Sequence, residues 1–186
     1  AEEVGHPVDF HQDGYLFLLA RDSSVDTFRR NVALQRSLGV EVQWLDAGEA
    51  ERLAPGLDAA GVAGATFCAR DGIADPNGVT MGFAKAAQAA GVEVARDTEV
   101  TGVRVERGRI AGVETTRGTI ETRKVVNAAG PHARQIGRMA GVDVPVEPYR
   151  RHIFIAAAPG EAAWRVPASR IMVIDFDTTF YFHREG

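Results

Sequence analysis

Three short stretches of the chain carry residues whose types and spacing could do chemistry. In "FYFHREG" (180–186), Tyr181 and His183 stand two apart and share one face of a strand, with Phe180 and Phe182 on the other. In "EPYRRHIFI" (147–155), read as a strand, Arg150 and His152 share a face and Arg151 takes the opposite one. An arginine can clamp a carboxylate with two parallel N–H···O bonds, and a tyrosine presents an apolar ring with a polar tip. The third stretch is "VVNAAGPHA" (125–133), a β-branched run that stops at a corner of small residues. Gly130 there can take a left-handed turn or let a large group approach the backbone, and the corner's N–H groups suit a phosphate or a flat cofactor. His132 follows directly. Blander readings fit the same residues: a tight strand-to-helix turn with nothing bound, a solvated basic edge, and a tyrosine with its hydroxyl at the surface. The five histidines show no metal-site pairing with each other or with carboxylates, so no metal is expected. The single cysteine, Cys68, can form neither an internal disulfide nor a Cys-based zinc site and reads as a small core residue.

The elements that must position these residues follow from periodicity and stop signals. "GYLFLLA" (14–20), "EVQWL" (41–45) and "VAGATFCA" (62–69) read as strands. Between the first two lies a helix that Ser24 can cap, with Phe28, Val32 and Leu38 near one face and Gly39 as its stop. Asp46 and Glu49 have capping-box spacing, and Pro55 ends the short helix they open. Asp75 and Pro76 start the clearest helix, whose buried face is expected to be Val79, Phe83, Ala86, Ala87 and Ala90, packed closely as against a sheet. A short strand should follow it before the meander, in the run that opens "VEVARDTEV". Turn signals at Arg107-Gly108 and Arg117-Gly118 then divide a β-meander. After it come a strand over 124–128, a helix from Pro131 to Gly141, a strand over 146–158, a Pro- and Ala-rich loop, and a hairpin turning over Asp175 to Thr178. Helices and strands alternate only in the middle, which predicts two structural units woven together.

Composition bounds the possibilities. The chain has 186 residues, 45% hydrophobic and 25% charged, as an ordinary globular protein does. Its net charge of −4 argues against nucleic acid or an anionic membrane surface as the main partner. No apolar run reaches spanning length, and the low cysteine count makes a cytoplasmic compartment the default expectation. The sequence opens without Met and closes in what reads as a strand, so both ends read as cut from a longer protein.

From Val100 to Gly130 the chain fits, slot by slot, V-x-x-V-x-x-x-x-G-x-I-x-G-V-x-T-x-x-G-x-I-x-x-x-x-V-V-x-A-A-G. This resembles the middle of two-dinucleotide-binding-domain flavoproteins. "DGIADPNGVTMGFAKAAQAAGVEV" (71–94), with "ERLAPGL" (51–57) before it, resembles the D-amino-acid oxidase and sarcosine oxidase superfamily. "EPYRRHIFI" is similar to the strand after the cofactor corner in sarcosine oxidase β-subunit-like proteins. The resemblance covers residue 14 to the end. It implies a mixed α/β and α+β fold: an antiparallel-sheet substrate domain interwoven with part of a Rossmann-like FAD-binding domain that includes the meander. Substrate-domain segments are expected at 8–70 and 146–186, and the FAD-domain segment at 71–145. Val100, Ala128, Ala129, Gly130 and His132 are the implied FAD contacts. Tyr181, Arg151 and His183 are the implied catalytic residues. The implied reaction takes a hydride from the carbon beside the nitrogen of a small amine or amino acid onto the flavin, leaving an imine. Alcohol oxidation of the glycerol-3-phosphate dehydrogenase kind, or a non-catalytic module on the same scaffold, are the alternatives.

Two departures qualify the resemblance. No G-x-G occurs in the chain, so the glycine-rich turn that holds the pyrophosphate and the acid that holds the ribose are missing. FAD is therefore expected in a full-length parent and not in this segment alone, which should instead self-associate through surfaces left bare. Heterotetrameric sarcosine oxidase β subunits also place a histidine for covalent FMN near the start of the third helix. Asp75-Pro76 stands there instead, so covalent FMN is not expected.

Overall fold

The computed structural model describes residues 5–155 and 169–184. The 156–158 end of the strand expected over 146–158, and the loop after it, lie outside the described residues. The chain divides into two compact units, residues 1–90 with 156–186, and residues 91–155. The second is inserted in the sequence of the first, which is the woven organisation expected.

The first unit contains, in chain order, β1 (Phe10–His11), β2 (Tyr15–Leu19), α1 (Asp22–Ser37), β3 (Val42–Leu45), α2 (Ala47–Leu53), β4 (Gly64–Cys68), β5 (Ile73–Ala74) and α3 (Pro76–Ala89). The second holds β6 (Val100–Glu106), β7 (Arg109–Thr115), β8 (Gly118–Glu121) and α4 (Ala133–Met139). The chain then returns to the first unit with β9 (Met172–Asp175) and β10 (Phe180–Phe182).

The five-stranded sheet of the first unit has the order β10-β9-β2-β4-β3. It is antiparallel except for the β2–β9 pair, which is parallel. A parallel pair needs a long connection, and here residues 20–171, the second unit among them, lie between the two strands. Strand β2 sits in the middle, and its Leu16, Leu19 and β9's Val173 are the largest fully buried side chains. One sheet face carries Leu16, Leu18, Leu45, Ala65, Phe67 and Val173 and packs on Ala50 and Ala54 of α2 and its end. That helix starts as expected: Asp46 Oδ1 accepts the Glu49 N–H at 2.7 Å and Glu49 Oε2 accepts the Asp46 N–H at 2.8 Å.

Helix α1 lies on the opposite face, with Phe28 against Phe17 at 5.8 Å between centroids and the Arg29 guanidinium 4.2 Å above the Trp44 ring. Ser24 does not cap this helix. Its N-cap is Arg21, which makes no side-chain bond. Asp177, 156 residues further on, accepts the Ala20 and Arg21 N–H groups at 2.7 and 2.9 Å, and Ser24 donates its hydroxyl to the same carboxylate. Of the expected face, Val32 is buried while Leu38 is 74% exposed, because it lies past the helix end.

Asp75 caps α3 as expected, accepting from the N–H groups of Asn77 and Gly78. The buried residues of α3 are Gly78 and Gly82, not the alanine-rich stripe. A Cβ on Gly82 would stand 3.2 Å from the His6 side chain, so the glycines admit the N-terminal segment. Phe83, expected in a buried face, is 63% exposed. Strand β1 pairs with β5, and the Asp75 N–H donates to the Asp9 carbonyl at 2.8 Å. These contacts put β5 and α3 in the first unit, so the units divide at 90/91 and 155/156, where sequence suggested 70/71 and 145/146.

In the second unit the meander forms as expected, in the order β6-β7-β8. Arg107 and Gly108 both take positive φ (50° and 74°), the twist a two-residue hairpin requires. Three expected strands do not form. Residues 92–95, 124–128 and 146–155 pair with no strand among the described residues. The apolar side chains meant to be sandwiched there stay outside, with Val126 at 90% and Ile155 at 92% exposure. Hydrophobic pattern makes a strand only where a neighbouring strand supplies the ladder.

Candidate functional site

The corner over 127–133 is built by one side chain that sequence reasoning left without a role. Asn127 donates from Nδ2 to the Ala133 carbonyl at 2.8 Å, and its Oδ1 accepts the Ala129 N–H at 3.3 Å. It thus ties the end of the apolar run to the start of α4. An asparagine bonding the backbone two residues on is an Asx-type turn, a signal present in the sequence. Gly130 opens a single turn of 3-10 helix over Gly130–His132, and the His132 N–H returns to the Ala129 carbonyl at 3.0 Å. Its φ is +53°, and a Cβ built on it would meet no atom within 4 Å. Ala128, Gly130 and His132 are exposed and Ala129 is half-buried. The corner therefore presents bare backbone to open space, which is what a flat or anionic group approaching closely would need.

The other predicted cofactor residue, Val100, opens β6 opposite Thr115, and α4 packs on this strand. Beside the corner runs an open groove of about 720 Å³, lined by Pro131, His132, Arg134, Arg138, Glu147 and Pro148 among others. Arg134 is already engaged by Glu147 and by Asp143 at 3.4 Å, so it holds the following loop to α4. Gly137 serves the same packing, since a Cβ there would strike Val144 at 2.6 Å.

Arg151 lies in this unit, exposed, in the segment over 146–155 that forms no strand. The alternation expected for Arg150, Arg151 and His152 has no sheet to act on. Tyr181 and His183 lie in the first unit. Strand β10 is the edge of the five-stranded sheet, and Tyr181 stands opposite Ile174, which in turn stands opposite Phe17. Phe182 packs against the core on the other face, so the predicted alternation along this strand holds. Tyr181 is 47% exposed and accessible to a small molecule. Cys68 is buried, as expected for a core residue. Among the described residues no helix is long and apolar enough to cross a membrane.

A β-meander inserted into a mixed-sheet unit, with a glycine corner of open backbone, defines the architecture of a flavoprotein segment. The model of the FAD dependent oxidoreductase (DAO) family matches residues 1–186, and the chain belongs to that family. It is 34% identical to human mitochondrial sarcosine dehydrogenase over 190 residues, covering 100% of this chain and 20% of the relative. It is 32% identical to sarcosine oxidase subunit beta of Rhodobacter capsulatus over 151 residues, 79% of this chain and 36% of the relative. Among solved structures, L-proline dehydrogenase from P. horikoshii superposes with a TM-score of 0.75 at 33% identity, covering 99% of this chain and 48% of that one. Glycine oxidase from Geobacillus kaustophilus gives 0.71 at 28% identity, covering 95% and 47%. The chain thus spans less than half the length of each of these relatives.

Proposed function

We propose that the protein to which this chain belongs oxidises the C–N bond of a small amine or amino acid, of the sarcosine, N-methyl amino acid, proline or D-amino acid type. The observation that carries this reading is the identity of 34% along the whole chain to a sarcosine dehydrogenase, in a family defined by FAD. FAD, when bound, supplies the hydride acceptor. The corner fits it: Ala128, Ala129 and Gly130 offer backbone without side-chain bulk, and His132 borders the same open space. On this reading Tyr181 and His183 orient the substrate from the sheet edge of the first unit.

The test is anaerobic mixing of the flavin-loaded full-length protein with sarcosine, proline and D-alanine, following the flavin absorbance, with glycerol 3-phosphate as the contrasting substrate. Bleaching by an amine and none by the alcohol is expected. Tyr181→Phe should slow that reduction roughly tenfold, the scale of one positioned hydroxyl acting in the transition state, with bound flavin unchanged. Unaltered reduction kinetics would place Tyr181 away from the substrate.

The 186-residue chain by itself is expected to carry no flavin. It has no G-x-G turn, and shape with a few N–H groups does not offset the immobilisation of a large anionic cofactor. Incubation with FAD followed by desalting should leave a colourless protein that self-associates through its bare apolar segments. A near-stoichiometric flavin band would contradict this.

A further inference from the structure

We propose that Asp177 is a positioning residue for Tyr181, fixing the β9–β10 hairpin to the N-terminus of α1 so that the edge strand cannot shift. This rests on the functional reading in which Tyr181 faces the substrate.

Among the described residues β10 has a partner strand on one side only, and it is three residues long. Such a strand frays unless something beyond its ladder holds it. Here the turn before it is fixed from three directions. Asp175 closes the turn, its Oδ2 accepting the Thr178 hydroxyl at 2.6 Å and its Oδ1 the Asp177 N–H at 3.1 Å. Phe176 sets its ring edge-on to Phe28 of α1, with centroids 4.7 Å apart. Asp177 reaches across the sequence to α1, accepting the Ala20 and Arg21 N–H groups on Oδ2 and the Ser24 hydroxyl on Oδ1 at 2.5 Å. The amide donors belong to Arg21, the N-cap residue, and to Ala20 just before it, so the contact fixes the chain where it enters a helix whose own N-cap supplies no side chain. The Ser24 bond chiefly, and the two amides after it, hold the Asp177 carboxyl below its ordinary range against the cost of desolvation. Thr179 then enters β10 with φ +64°, a left-handed conformation that a threonine keeps only when its surroundings impose it. Tyr181 follows two residues later. The tie to α1 thus acts at one end of the strand that carries the phenol.

The test uses the flavin-loaded full-length protein. Asp177→Ala is expected to slow anaerobic flavin reduction by an amine about tenfold, as Tyr181→Phe does, with flavin content unchanged. Asp177→Asn should restore the rate, because its amide oxygen can accept both N–H groups and its NH2 can donate to Ser24. The double variant with Tyr181→Phe should be no slower than the slower single variant, since both act through one group. Hydrogen exchange supplies a readout apart from activity: amides of 180–183 should exchange faster in Asp177→Ala and return to wild-type rates in Asp177→Asn. Slow reduction in Tyr181→Phe with a normal rate in Asp177→Ala would overturn the inference and leave the functional reading intact. Multiplying effects in the double variant, or faster exchange without a kinetic change, would overturn it equally. A normal rate in Tyr181→Phe would place Tyr181 away from the substrate and remove this inference, leaving amine oxidation to be decided by the bleaching test. Should Asp177→Ala fail to fold, Ser24→Ala removes one of the three bonds and should show the same pattern in smaller measure; wild-type kinetics and exchange there would overturn the inference.

Discussion

Valine at position 130 in the full-length protein is expected to abolish flavin retention while leaving the fold in place. Two effects combine at this position. Gly130 sits at φ +53°, where an L-residue costs about 1–2 kcal/mol and a β-branched one more. Its Cβ would point into space free of protein atoms within 4 Å, so no internal clash arises. The added isopropyl group would instead occupy the ground over which a flat cofactor must approach the backbone. The loss of flavin should be at least roughly tenfold, equivalent to about 1.4 kcal/mol or more of binding. Gly130→Ala separates the two effects, because it carries most of the backbone strain with a smaller obstruction and should retain more flavin. The ratio of flavin to protein absorbance after desalting reads the result, and thermal unfolding confirms that the corner alone changed. Equal flavin in wild type and Gly130→Val would remove the corner from the cofactor site.

Leu16→Ala is expected to destabilise the first unit by about 3 kcal/mol, within the roughly 2–5 kcal/mol seen when buried leucines are truncated. Leu16 is fully buried on the central strand, with β4 on one side and β9 on the other. Its neighbours Phe67 and Val173 stand directly opposite in register, so the vacated volume is walled by backbone ladders that collapse poorly. Leu38→Ala is the matched control. That side chain is 74% exposed past the end of α1 and should change stability by about 0.5 kcal/mol or less. Urea unfolding of the two variants gives the comparison. Similar midpoints would contradict the central place of β2. The substitution also bears on the site, because β9 is clamped between β2 and the strand that carries Tyr181.

Residue neighbourhoods along the chain determined the local elements. The capping box of Asp46 and Glu49, the Asp75-Pro76 start of α3 and the hairpin turn at Arg107-Gly108 formed where the residues placed them, while the second meander turn falls on Thr116-Arg117, one residue before the expected Arg117-Gly118, and the last hairpin turns over Phe176 to Thr179, one residue after the expected Asp175 to Thr178. Each depends on backbone groups within a few positions, so the chain meets the same physics wherever that segment lies. The family was legible for the same reason, since the block from Val100 to Gly130 is a run of such local features ending at a glycine that needs positive φ. Only the tertiary structure decided which strands pair. The apolar runs at 124–128 and 146–155 looked as much like strands as Tyr15–Leu19 did, yet they pair with nothing among the described residues. It decided that α3 buries Gly78 and Gly82 and leaves Phe83 outside, because the segment at His6 and Pro7 reached that face. It also replaced Ser24 by Asp177 as the group that holds the start of α1. These outcomes share a cause: a hydrogen bond or a buried face needs a partner, and when that partner comes from 156 residues away its arrival is set by the whole fold, not by the sequence on either side.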